Sequence, residues 1–350
     1  MYIPAGVYRV STELRVANNA TTIYGTTAST TSIVQTNAKA HIFHIANGGN
    51  PIDRIELRDL ELLYSTPKPT GFAILCETCW RTHFRHLNIG RAGDHLYMGT
   101  GIWVQGGNQV LLDDSIITQA TAQGLYFARV GDVIMSNVEV NQPDDSTSSV
   151  GVVFDTGVGG IYATNVNVTG GHTGFLFENT GNQAKPNFGF FTNCLADTLN
   201  GVGWNFQSAL SMRLTNSWAA TAKVYGMIVK DVQGLSITDS RIYNNGAEGI
   251  LMQAGATDVT IKDSTVTGNS RLAPNAHAGI DIAAGVSDFQ ILGNTIGSAD
   301  GFGNSQSYGV IVAPGASDNY MISGNAMRKN MSGEMRNGAT GGNKVVADNL

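Results

Sequence analysis

A chain of 350 residues with 43 Gly against 8 Pro and only 14% charged residues reads as many short strands joined by tight turns, with few helix formers. Its formal net charge of −6 leaves no basic stripe, which argues against a nucleic-acid partner. No apolar run is long enough to span a membrane, so no membrane insertion is expected.

Residues 1–50 predict the least regular turns, with strands around Ile3, Leu14, Val16, Ile23 and Ile33 and a turn at Pro4-Ala5-Gly6. From 51 to 330 the pattern becomes periodic. A Gly followed by an aliphatic–any–aliphatic triplet recurs at Gly71, Gly101, Gly124, Gly151, Gly174, Gly201, Gly226, Gly249, Gly279 and Gly309, in steps of 23 to 30 residues. Self-similarity at such a period marks a stack in which each repeat buries its apolar face against its neighbours. The copies GMIVKDVQGLSITDSRIYNN and GILMQAGATDVTIKDSTVTGN state the unit most plainly: period-two strands and polar turns, with no room for a helix. Residues 331–350 form the C-terminal end, and 1–350 reads as one all-β solenoid domain of about eleven coils.

A second comb agrees with the first. Asp59, Asp114, Asn137, Asn165, Asn193, Asn216, Asp239 and Asp263 align at one corner. Asn and Asp tolerate left-handed turns and satisfy nearby backbone groups, so this column is read as structural, although Asp113-Asp114 looks like a carboxylate pair. Ser115, Ser217, Ser240 and Ser264 follow as a packing column.

The Pro-Ala-Gly-x-Tyr opening, a strand and then Ile23-Tyr24-Gly25 resemble the first coils of the pectate-lyase-like superfamily, in particular phage tailspikes and related polysaccharide-degrading proteins. That resemblance implies a single-stranded right-handed parallel β-helix with three parallel sheets and a substrate groove along one sheet, beside the longer turns. It further implies a polysaccharide or cell-surface glycan as partner and an extracellular place, on a phage virion or secreted. The longer turns precede Gly101, Gly151, Gly201, Gly279 and Gly309, all on one edge. The Asn-Thr-Asp, Gly-Asp-Asp, Gly-His-Gly and Arg-Ile-Lys set of polygalacturonases is missing, with Gly170-Gly171-His172 only a faint echo, and so is the Asp-Pro-His of alginate epimerases.

Alternation sets two outward columns on the Gly-initiated strand. Two residues after each Gly come Trp103, Tyr126, Val153, Leu176, Gly203, Ile228, Leu251, Asp281 and Ile311; four after come Gln105, Ala128, Asp155, Glu178, Asn205, Lys230, Gln253, Ala283 and Ala313. The aliphatic members of the first column, Val153, Leu176, Ile228 and Leu251, predict an interface and, with the tailspike resemblance, a homotrimer. Trp103 and Tyr126 are as much candidates for sugar stacking as for plain packing.

Asp155 and Glu178 share the second column on consecutive coils, ~4.8 Å apart. Glycoside hydrolysis needs one protonated and one ionised carboxyl, and like charges held close push one pKa up. This pair is therefore the predicted catalytic site, with Asp144, Asp145 and Asp197 as reserve acids. Gln105, His172, Asn205 and Trp204 join Trp103 and Tyr126 as substrate contacts, although alternation turns Trp204 inward. The plain alternative is a set of acids solvated or paired with Lys230. Two other functions stay open: a lyase or epimerase on uronic acids using Arg54 over Arg81, Arg58 over Arg85 and Arg91, or a non-catalytic receptor-binding β-helix. Those arginines are expected to pair with Glu56, Glu61 and Glu77.

Cys76, Cys79, His83 and His86 have zinc-like spacing. On a strand rising ~3.3 Å per residue, Cys79 and His86 stand too far apart to share one ion. Buried thiols, exposed histidines, no metal and no cofactor are expected.

Overall fold

The structure, a computed structural model, describes residues 1–66, 69–91, 98–181, 183–297, 301, 303, 305–315 and 318–350. Parts of the long turns before Gly101 and Gly309 lie outside the described residues. The described strands make a parallel solenoid of about twelve turns without helices. Contacts divide the chain into two compact units, Met1–Phe175 with Asn179–Pro186, and Leu176–Glu178 with Asn187–Leu350.

In the first unit one long strand serves three sheets by turning two corners. Phe72–Ile89 pairs in parallel with Phe43–Ile45 near its start, with Ile52–Asp53 after the first corner, and with Glu56–Tyr64 over its remaining length. On its other side it pairs with Met98–Thr118 along nearly its whole length. The second unit uses shorter pieces. Met227–Thr238 pairs with Ile250–Met252 on the first sheet and Thr257–Lys262 on the second, while Arg241–Tyr243 pairs with Thr265–Thr267 on the third.

Alternation places the core as expected: Ile102 and Val104 are 0% exposed while Gln105 is exposed and Trp103 half-buried. The opening glycines are explained by close approach. A Cβ on Gly124 would stand 2.6 Å from the Gly151 carbonyl oxygen, and one on Gly226 2.5 Å from that of Gly249, so no larger residue fits. Two alignments slip by two residues. Trp204 pairs with Met227 and Asn205 with Ile228, so the glycine opposite Gly226 is Gly203, not Gly201; likewise Ile74 pairs with Ile102, which sets Ala73 rather than Gly71 beside Gly101. A slip of two keeps every side chain on its own face.

The corner column behaves as read. All eight Asn/Asp residues have φ between 46° and 58°. Their side chains form ladders, Asn165 Nδ2 donating to Asn137 Oδ1 at 3.0 Å, Asn137 Nδ2 to Asp114 Oδ1 at 2.9 Å, and Asn216 Nδ2 to Asn193 Oδ1 at 2.6 Å. The serines that follow are buried, and each Oγ accepts the backbone N–H of the residue one coil back: Ser217 N to Ser240 Oγ and Ser240 N to Ser264 Oγ, both 3.1 Å. A second internal ladder, which the sequence reading missed, runs through Asn245, Asn269 and Gln306; Asn245 Nδ2 donates to Asn269 Oδ1 at 2.8 Å, and Asn269 Nδ2 to Gln306 Oε1 at 3.0 Å.

Two expectations are corrected. The first-column aliphatics are not a wet stripe: Val153 is 1% and Ile228 9% exposed, and Leu176 and Leu251 are half-buried. In a stack with ~4.8 Å between strands, side chains in register cover one another's flanks, which outward alternation alone does not reveal. Cys76 and Cys79 are not free thiols but a disulfide across the corner at Glu77-Thr78, both residues pointing into the core. Cys194 is free and buried.

Candidate functional site

Asp155 sits at the end of the strand Val150–Phe154 and is 2% exposed. The turn at Asn179–Gly181 folds over it. Thr180 Oγ1 donates to its Oδ2, and Tyr126 Oη donates to the same oxygen at 2.5 Å; Thr180 N donates to Oδ1 at 2.9 Å and Thr156 N at 2.6 Å. Burial pushes this carboxyl up, but the bonds from Thr180, Tyr126 and the Thr156 and Thr180 amides together outweigh it and hold it below the usual Asp value. Such a group stays ionised and acts as an acceptor that ties a turn to a strand. Asp155 belongs to the first unit; Glu178, half-buried, belongs to the second.

The other predicted residues scatter. Asp144 and Asp145 are exposed in their turn, and His172 is half-buried with Nδ1 3.1 Å from Thr173 Oγ1. Asp197 accepts from Thr198 and Thr221 at a corner of the second unit. Asn205 accepts from Gln207 Nε2 at 2.5 Å, and Trp204 is 0% exposed with Nε1 donating to Trp218 O at 2.8 Å, out of reach of a sugar. Trp103 lies between Phe72 (5.0 Å, 8° between planes) and Tyr126 (4.0 Å, 24°). Both faces of the indole are therefore occupied by protein rings, which favours packing over sugar stacking.

The arginines are neutralised. Arg81 holds Asp53 at 2.6 Å, Arg54 lies 3.6 Å from the same carboxylate, Arg58 meets Asp59 (2.6 Å) and Glu56 (3.5 Å), Arg85 meets Glu56 (3.7 Å), and Arg91 meets Glu61 (2.7 Å). Glu77 instead stands 3.5 Å from His44, whose other nitrogen is 3.1 Å from Glu13. His83 pairs with Asp113 at 2.6 Å. Among the described residues, no group of three or more His, Cys, Asp and Glu is placed to hold a metal ion.

One acidic constellation stands apart, and it lies on the loop-rich edge of the second unit. Asp281 faces outward from the strand Ile280–Ile282, in register with Leu251 on one side and Ile311 on the other. Glu248, just before Gly249, is 9% exposed; its Oε1 is 2.8 Å from His277 Nδ1 and its buried Oε2 has no partner. The long turn before Gly279 delivers His277. That turn is pinned to the coil below by Ser270 N to Ala247 O (2.7 Å) and Arg271 N to Asn245 O (3.0 Å). Burial and then the Glu248 charge push the Asp281 carboxyl up, only partly offset by Arg336 and His277. Burial and the same two carboxylates also raise the Tyr225 hydroxyl. Arg336, one strand beyond Ile311, lies over the Tyr308 ring at 5.5 Å.

Two acids whose environment holds one of them protonated above the ordinary Asp range are equipped for proton transfer. The sequence reading passed over this pair, yet a signal was present. Asp281 is the one acid in an otherwise apolar outward column, and the turn that carries His277 was among those singled out.

A family model described as a right handed beta helix region matches residues 72–296. No curated protein sequence matches the chain. Solved structures of similar fold include the A-module of the mannuronan C-5 epimerase AlgE4 of Azotobacter vinelandii, at 14% identity over 99% of this chain and 87% of that one, TM-score 0.58. The N-terminal fragment of gene product 12 of bacteriophage Phi29 matches at 12% identity, 96% and 67% coverage and TM-score 0.63. The catalytic domain of a GH87 alpha-1,3-glucanase matches at 13% identity, 93% and 64% coverage and TM-score 0.50. At these identities the likeness is one of fold.

Proposed function

The chain belongs to the right handed beta helix family, whose match spans well over half of it, and from that premise we propose that it binds and modifies a polysaccharide, cleaving glycosidic bonds with Asp281 and Glu248. The observation that carries this reading is the raised Asp281 carboxyl beside the charge of Glu248. Asp281, protonated, gives its proton to the departing glycosidic oxygen; Glu248, oriented by His277, serves as the charged partner, as nucleophile or as base for water. Tyr225 and Arg336 flank the acids as hydrogen-bond donors to sugar hydroxyls. The epimerase and glucanase named among the structures of similar fold act on polysaccharides by their titles, which supports the substrate class and not the reaction. The place of action is outside the cell or on a virion, which suits the buried Cys76–Cys79 disulfide, a bond that persists in oxidising surroundings.

The test is a panel of surface polysaccharides digested by the full chain. New reducing ends without the ultraviolet absorbance of an unsaturated uronate are expected; that absorbance would establish a lyase instead, and no product on any glycan would leave a binding protein. Asp281→Asn and Glu248→Gln, made separately, should each lower turnover by about 10²–10⁴-fold. A second reading keeps Asp155 and Glu178 as candidate acids, with burial of Asp155 outweighed by bonds from Thr180, Tyr126 and Thr156 that hold it below the ordinary Asp value. Glu178→Gln separates the two, since a loss confined to that variant moves the chemistry to the earlier coil.

A further inference from the structure

The second sheet of the second unit carries a groove that the acid site does not use. One segment, about 350 Å³, runs past Phe188, Phe190, Arg213 and Asp258; a further segment, about 580 Å³, continues from Asp258 past Gln290 to Lys344. Its floor follows one register position through seven strands, Phe190, Arg213, Ser236, Thr260, Gln290, Met321 and Val345. Six steps of ~4.8 Å make it ~29 Å long, a straight path parallel to the stack.

Phe188, at its mouth, has two features that are unfavourable unless a ligand uses them. Phe188 is 60% exposed; Phe190, 40% exposed, already carries the Arg213 guanidinium over its ring at 5.8 Å. Phe188 also holds φ at +54°, at a corner where the following coils place Ser211, Gly234, Asp258 and Asp288. A bulky residue in left-handed backbone is strained, whereas Gly, Asp and Asn meet that geometry at little cost. Strain together with an exposed ring points from structure to function. The charges along the groove balance, Arg213 and Lys344 against Asp258 and Asp288, and the rest of the polar lining is hydroxyl and amide.

We infer that this groove is a non-catalytic binding site for an extended, uncharged polysaccharide strand, gripped at one end by the face of Phe188, beside Phe190 and its Arg213 partner, and along its length by side chains that pair with sugar hydroxyls. An aromatic face with flanking polar groups suits a pyranose ring, which is apolar on its faces and polar at its edge. Balanced charge gives a uronate polymer nothing to gain. The inference rests on the glycan reading of the protein but not on the acid pair, which lies on the first sheet. It makes the molecule a two-site enzyme: a holding groove and a cutting site on different sheets of one stack.

The experiment is calorimetric titration of the full-length Asp281→Asn protein with cellohexaose, maltohexaose and laminarihexaose, and with a mannuronate hexamer as the charged control. At least one neutral hexasaccharide should bind and the charged one should not. Phe190→Ala should weaken binding roughly tenfold. Phe188→Asn should weaken it to a similar degree while raising the melting temperature, because Asn relieves the left-handed strain that Phe stores. A purely structural Phe188 would show the gain in stability with binding unchanged. Binding by the charged hexamer alone, binding by none, or affinity unaltered in both variants overturns the groove. A glycan cut by the Asp281→Asn protein as fast as by the unaltered chain overturns the acid pair alone, since the groove is scored on binding.

Discussion

A carboxylate's role is decided by what donates to it, and Asp155 and Asp281 mark the two extremes. Asp155 accepts from the Tyr126, Thr156 and Thr180 hydroxyls and two backbone amides in a site 2% exposed. Asp155→Ala should leave the buried Thr156 N–H unpaired at ~1–3 kcal/mol and release the turn at Thr180, seen as a lower denaturant midpoint. Its pKa is depressed, so its contribution is present above the ordinary Asp range and is lost as pH falls through the lower folded value; acid unfolding should come at higher pH in the variant. Asp281 has the opposite sign. Its raised pKa means that the folded state holds the proton more tightly, so its contribution is present at acid pH and is lost as pH rises through the folded value. Asp281→Asn should flatten that fall in stability, measured by denaturation at a series of pH values, alongside its loss of turnover. Neither fate is legible from residue type. Both were outward acids in the alternation, and only the turn over Asp155 and the turn bearing His277 distinguish them.

At the scale of the coil, the corners and the internal ladders carry the order of the stack. Asn216 sits at φ +49° and donates to Asn193. Asn216→Ala should cost ~1–2 kcal/mol for left-handed backbone, and Asn216→Gly less, which thermal denaturation can rank. Ser240→Ala removes the acceptor of the buried Ser217 N–H and should cost ~1–3 kcal/mol, although the change removes only one oxygen from the core. The corner column was readable because left-handed geometry selects Asn and Asp at a fixed offset. The Asn245–Asn269–Gln306 ladder was not, because the turns between those residues vary in length and the last member is a different residue type. The same variation in length produced the two-residue slips at Gly71 and Gly201, which parity made harmless to the inward and outward assignment.

For the whole chain, the covered first column removes the motive for a trimer along that stripe. Val153 and Ile228 are already buried within one chain, so a trimer, tested by light scattering against the single-chain mass of 37.0 kDa, would need another surface. Three times that mass would place an interface elsewhere, and in the first unit Trp80, Ile116, Ile134 and Tyr162 are among the exposed apolar candidates. The repeat of Gly, alternating aliphatics and corner Asn/Asp determined by itself that this chain is a solenoid of short strands and which way their side chains point. Each of those properties depends on local geometry, a close glycine contact, a two-residue period or a left-handed turn, and local geometry is written in neighbouring residues. The site was decided only by tertiary structure. Glu248, His277 and Asp281 are brought together by a turn whose path depends on the coil beneath it, and the protonation of Asp281 follows from burial and a neighbouring charge that exist only once the coils are stacked.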